Sequence, residues 1–239
     1  MGAYDQNIVI DLEFNLTDKE IRKRGLRQEI VEIGAVRLDA SGRVVDEFSC
    51  FVRPEYAGGI HPSIAELTGI RDCDVADAAA LPEALAALCE WIGPGRTRMV
   101  EWSKSDRDQI ERECAFKGIE APAQMSRWLD LQVVCPKLMA VGNGRLMKLG
   151  TALEWYGVEC DASRAHRALY DAQVTAELMR QVITGEFREQ KARLDVCMPR
   201  RKTMGRALAV TVGAASAGLE ALRQSLLASE QRAFAMAVA

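Results

Sequence analysis

Asp11 and Glu13 fall two residues apart in the run Ile8-Val9-Ile10-Asp11-Leu12-Glu13-Phe14, Asp106 stands near a helix start, and His166 precedes Asp171 by five residues. Four carboxylates and an imidazole can hold divalent cations and move a proton, which is what metal-assisted hydrolysis of a phosphodiester requires. The run around Asp11 is continuously apolar and β-branched, so it is expected to be a buried central strand. Residues two apart in a strand share a face, which places the two carboxylates together, with Cα atoms roughly 6–7 Å apart. Burying two adjacent negative charges is costly without cations. Oxygen-only donors suit a hard ion, so the pair is expected to cradle Mg²⁺ or Mn²⁺.

Asp106 has a plainer explanation, because Ser103-Lys104-Ser105-Asp106 fits the Ser-x-x-acid pattern of a capping box. Register favours the chemical role: Asp106, Ile110 and Cys114 lie four apart on one helical stripe, with Arg107, Asp108, Glu111 and Arg112 off it. Asp171 likewise heads the stripe of Val174, Leu178 and Val182. One inward acid can be paired with an arginine, but four aimed at one place without matching buried cations imply metal ions. Of the two histidines, His61 precedes Pro62 and reads as a turn residue, whereas His166 can stand at the rim of the site and accept a proton.

The surrounding pattern supplies elements to hold these groups. Residues 30–38 and 44–52 flank Ser41-Gly42 and read as a hairpin. The pattern then changes to a helical period with Leu81, Leu85, Leu88 and Ile92. Short strands are expected near 98–102 and 128–131, and helices from about Ser105, over 146–156 and over 164–183. A three-strand meander followed by alternating helices and strands is an α/β domain with a mixed central sheet flanked by helices. Its boundary is expected at residue 185, with a basic, Ala-rich helical tail over 186–239.

The chain has 239 residues, enough for one full core and an appendage, and a formal net charge of −3. The acidity lies in the expected domain and the tail is net basic. The seven cysteines include no Cys-x-x-Cys pair, which argues for reduced thiols and against a zinc site. Met1 to Asn7 lacks the basic and apolar regions of a secretory signal, so a cytoplasmic location is expected. No apolar stretch approaches the roughly 20 residues of a membrane span, so no membrane partner is expected. Lys19, Arg22, Lys23, Arg24 and Arg27 follow the first strand, either as a solvated excursion or as a lip that guides an anionic strand. In the tail, Arg200, Arg201 and Lys202 form either a linker or a backbone contact. Leu219, Leu222, Leu226 and Phe234 form a stripe that either folds back, pairs with a second copy in a homodimer, or meets a protein partner.

The motifs Ile10-Asp11-Leu12-Glu13, Glu101-Trp102-Ser103-Lys104-Ser105-Asp106 and His166-Arg167-Ala168-Leu169-Tyr170-Asp171 together resemble the DEDDh 3′–5′ exonucleases of the RNase H-like superfamily over about residues 7–184. Glu29-Ile30-Val31-Glu32-Ile33-Gly34-Ala35-Val36, Leu67-Thr68-Gly69-Ile70 and Cys114-Ala115-Phe116-Lys117-Gly118-Ile119 follow in the family's order. The resemblance implies that Asp11, Glu13, Asp106 and Asp171 hold two ions, that His166 is the general base, and that 5′-monophosphates leave the 3′ end. It also implies that Phe14, Leu67 and Thr68 meet the terminal nucleotide. Phe14-Asn15 replaces the Thr-Thr or Thr-Gly of many DNA-directed members and is closer to the KapD-like, RNA-processing branch, so single-stranded RNA is the expected substrate. Ser103 stands where Gly is common, which alters the local backbone without removing a ligand. A DNA-directed proofreading or repair exonuclease, and a non-catalytic regulatory or nucleic-acid-binding protein of this ancestry, are the competing readings.

Overall fold

A computed structural model describes residues 4–140 and 146–197. Three antiparallel strands, β1 (Gln6–Leu16), β2 (Gln28–Asp39) and β3 (Val44–Phe51), form the expected meander. Two short strands, β4 (Thr97–Glu101) and β5 (Trp128–Asp130), extend it in parallel, giving the order β3-β2-β1-β4-β5. β1 is central because Ile8, Val9 and Ile10 put apolar side chains on both of its faces, which only a strand covered on both faces tolerates.

Short helices α1 (Lys19–Lys23), α2 (Pro62–Thr68) and α3 (Asp72–Val75) lie in the connections, and the two faces of β1 are sorted by alternation. Ile8, Ile10 and Leu12 pack with α4 (Leu81–Ile92) and α5 (Ser105–Lys117) through Leu81, Leu88, Ile92, Ile110 and Cys114. Val9, on the other face, packs with α6 (Leu131–Met139), α7 (Leu149–Tyr156) and α8 (Ala168–Thr184). Leu81, Leu88 and Ile92 are completely buried, and each such side chain contributes about 1.5–3 kcal/mol by leaving water. Asp11 and Glu13 continue the Val9 face, toward α8.

Two features let helices approach the sheet closely. Gly34 of β2 lies directly under the start of α8, and a Cβ there would stand 2.1 Å from the Leu169 nitrogen and 2.2 Å from the Ala168 carbonyl carbon. Lys117, at the end of α5, is buried among Glu113 at 3.0 Å, Glu29 at 3.3 Å and Glu55 at 3.4 Å, which ties α5 to β2 and to the loop after β3.

Two expectations are corrected. α8 begins at Ala168 rather than near residue 164, because His166 has a φ of 62° that no α-helix accommodates. The compact domain also continues past residue 185. In α9 (Phe187–Cys197), Phe187 is buried in the α6–α8 cluster beside Tyr156, and Leu194 packs against that cluster. Residues 198–239, which include the expected tail stripe and Arg200 to Lys202, lie outside the described residues. No helix among the described residues is long and apolar enough to cross a membrane.

Candidate active site

β1 outruns its parallel neighbour. Its pairing with β4 ends at Val9–Val100, while its pairing with β2 continues to Leu16. The backbone beyond Val9 therefore needs a partner on the β4 side, and Asp106 supplies one by accepting the Leu12 N–H as well as its own. Asp106 is only 4% exposed. It occupies the second position of α5, after the N-cap Lys104, whose side chain makes no capping bond. The capping-box geometry is thus absent, and the carboxylate turns toward the strand instead. The helix start is held by Glu101 of β4, completely buried, whose Oε2 accepts the Arg107 N–H at 3.1 Å.

Asp171 arrives from the opposite face on the first turn of α8, and its Oδ2 accepts the His166 N–H at 3.0 Å. The left-handed backbone of His166 costs on the order of 1–3 kcal/mol and persists only where the surroundings impose it. The imidazole is half-buried, and donor atoms of Glu13, His166 and Asp171 lie within 4.8 Å of one another. Like α5, α8 lacks a side-chain cap of its own. Glu32 of β2 accepts the Ala168 N–H at 3.1 Å and is paired with Arg167 at 2.7 Å.

Crowding of acids sets the electrostatics. Burial first, then Asp106, Asp171, Glu13 and Glu32, hold the Asp11 carboxyl well above the usual carboxylate range. Burial, Asp171 and Glu32 push Glu13 up to about 8, partly opposed by Arg167. Asp106 is held high by burial and by Glu101, and Asp171 is raised by burial against the hydrogen bond from His166. Acids raised together by desolvation and mutual repulsion fit divalent cations, whose charge would reverse every one of these effects. The donor set consists of carboxylate oxygens with one imidazole alongside, suited to hard ions.

The expected nucleotide contacts sit at the same end of β1. A β-bulge separates Glu13 from Phe14, which is half-buried. Asn15, fully buried, donates to the Gly59 carbonyl at 3.0 Å and accepts the His61 N–H at 2.8 Å. It thereby anchors the entry to α2 (Pro62–Thr68), where His61 is the N-cap, a turn residue as expected. Leu67 is 45% exposed and available to a base. The Thr68 hydroxyl is committed internally, donating to the Ile64 carbonyl at 2.8 Å and accepting the Ile70 N–H at 3.1 Å.

The sequence alone does not assign Glu32, Glu101 and Asn15 these contacts; the signal for the two glutamates is an acid within an otherwise apolar strand run, as in Ile30-Val31-Glu32-Ile33 and Met99-Val100-Glu101-Trp102.

A mixed five-stranded sheet, with acids converging on the end of its central strand and a histidine beside them, is the RNase H-like exonuclease fold. The family model described as Exonuclease, RNase_T, matches residues 8–179. The chain belongs to that family. It is 29% identical over 198 residues to ERI1 exoribonuclease 2 of Homo sapiens, covering 73% of this chain and 28% of that protein. It is 25% identical over 199 residues to the 3′–5′ exonuclease Snipper of Drosophila melanogaster, covering 75% and 69%. The chain therefore spans little more than a quarter of the first of these relatives. Among solved structures, the nuclease domain of 3′hExo bound to rAMP superposes with a TM-score of 0.67 at 22% identity, covering 76% of this chain and 93% of that one, and shares the fold.

Proposed function

We propose that this protein is a divalent-cation-dependent 3′–5′ exonuclease that shortens single-stranded RNA and releases nucleoside 5′-monophosphates. The observation that carries the reading is the convergence of Asp11, Glu13, Asp106 and Asp171, from one strand and two helices, beside a half-buried histidine. The four carboxylates would hold two ions, Mg²⁺ or Mn²⁺. Such ions make a water nucleophilic near neutral pH and stabilise a leaving oxygen. His166 takes the proton of the attacking water, the water oxygen bonds to phosphorus, and the bond to the 3′-oxygen of the preceding nucleotide breaks. Leu67 and Phe14 would seat the terminal nucleotide, with Thr68 shaping the turn beneath it. The exposed cations Lys19, Arg22, Lys23, Arg24 and Arg27 lie just past the end of β1 and would attract the strand leading to the site.

RNA is favoured over DNA by the name of one relative, ERI1 exoribonuclease 2, and by Phe14-Asn15 after the second acid. A reducing, cytoplasmic setting agrees with the six described cysteines, all free thiols. The test is a time course on 5′-labelled single-stranded RNA and the matching DNA, with Mg²⁺, Mn²⁺ or chelator. A cation-dependent ladder from the 3′ end, faster on RNA, is expected. Faster shortening of DNA would move the assignment to the DNA-directed reading, and no shortening of either would move it to the non-catalytic one.

A further inference from the structure

We infer that Glu32 is a positioning residue for His166, acting through Arg167 and the first N–H of α8; the inference rests on the reading of His166 as the base. Glu32 is 2% exposed and stands opposite Glu13 in the β1–β2 register. An extra carboxylate there is electrostatically unwelcome, since it raises Asp11, Glu13 and Asp171 alike. Its own bonding shows what it does. The Arg167 Nε donates to both of its oxygens at 3.2 Å, the Arg167 Nη2 donates to Oε1 at 2.7 Å, and the Ala168 N–H donates to Oε2 at 3.1 Å. Both oxygens are engaged by groups from the two residues that follow His166.

His166 is thus held from two sides. Asp171 accepts its N–H, and Glu32 pins the next two residues to β2. That double restraint explains how a non-glycine residue stays at φ 62°. It also fixes where the imidazole enters the site, because φ and ψ at His166 and Arg167 determine its approach. Gly34 completes the seat by letting the Ala168–Leu169 backbone rest on β2. A misplacement of about 1 Å at a reacting group can cost 10²-fold in rate.

The experiment measures kcat and KM on 5′-labelled RNA for Glu32→Gln and Arg167→Lys, each alone and combined with His166→Ala, at saturating cation. Gln keeps an acceptor for Ala168 but loses the charge, and Lys cannot reproduce the guanidinium fork. Each single substitution is expected to lower kcat about 10- to 100-fold with little change in KM. In the His166→Ala background the further loss is expected to shrink to within roughly threefold, since neither residue then has a base to position. Because Arg167 is 46% exposed at its side chain, Arg167→Lys provides a folded variant should Glu32→Gln lose stability. Losses that multiply fully in the His166→Ala background would overturn the inference and leave the base assignment intact. A wild-type rate for His166→Ala itself would overturn both.

Discussion

The two helices that deliver Asp106 and Asp171 meet the end of β1 from opposite sides, and neither caps its own N-terminus. Each takes a buried glutamate from a strand flanking β1, Glu101 for α5 and Glu32 for α8. The difference lies in the counter-charge. Glu32 has a bidentate arginine and both oxygens engaged, whereas Glu101 has one oxygen without a protein partner and is pushed up to about 7 by burial. The α8 side is therefore a fixed platform, suited to aim a base and a ligand together. The α5 side carries a weakly compensated acid beside Asp106, which a cation brought near Asp106 would also relieve.

The largest effects are expected at the acids themselves. Asp11→Asn and Asp106→Asn are each expected to remove 5′-monophosphate release altogether while leaving a cooperative thermal transition. Persistence of the wild-type rate in either would detach it from the cation centre. Next in size is Gly34→Ala, whose Cβ would meet backbone atoms of α8 that cannot rotate away. It is expected to cost about 1–3 kcal/mol in denaturant unfolding, and to reduce the rate by shifting Asp171 and His166 together. An unchanged rate would show that α8 need not rest on β2.

The central strand and its acids were readable because an apolar, β-branched run leaves no solvent face on which Asp11 and Glu13 could be ordinary surface groups. Asp106 and Asp171 were readable from helical register against Ile110, Cys114, Val174 and Leu178. The α8 start was misplaced because nothing in Arg164-Ala165-His166 announces a left-handed residue. α6 escaped notice because Pro136 lies inside it, and α9 because a mostly charged segment is held by little more than Phe187 and Leu194. Glu32 and Glu101 stand out in the sequence as acids within apolar strand runs, and only the packing of α8 and α5 shows which backbone groups they hold.

A pH series sharpens the electrostatic side. Glu13 is raised from 4.5 to about 8, so its protonated form favours the folded state: stability is full below pH 4.5 and lost as pH rises through about 8. The cation-free protein should therefore melt lower at pH 8 than expected from its other groups, and added Mg²⁺ should restore the loss. A melting temperature at pH 8 indifferent to Mg²⁺ would contradict this. Glu101 follows the same sign with a midpoint near 7. Glu101→Gln should accordingly be nearly neutral at pH 5 and modestly stabilising at pH 8. Glu32→Gln should be destabilising, since it removes a charge-assisted pair. Equal behaviour of the two variants would erase the distinction between the helix starts. The smallest effect is expected from reversing Lys19 and Arg22 to Glu, which should raise KM and flatten its salt dependence without altering kcat.

The most direct measurement is calorimetric titration of Mn²⁺ into the cation-free protein near pH 7, repeated in buffers of different ionisation enthalpy. Acids raised as Glu13 and Asp11 are must shed protons when a cation displaces them. Binding with net proton release, lost in Asp11→Asn, is the expected result. Binding without proton release, or binding that survives Asp11→Asn unchanged, would contradict a cation centre built from these carboxylates.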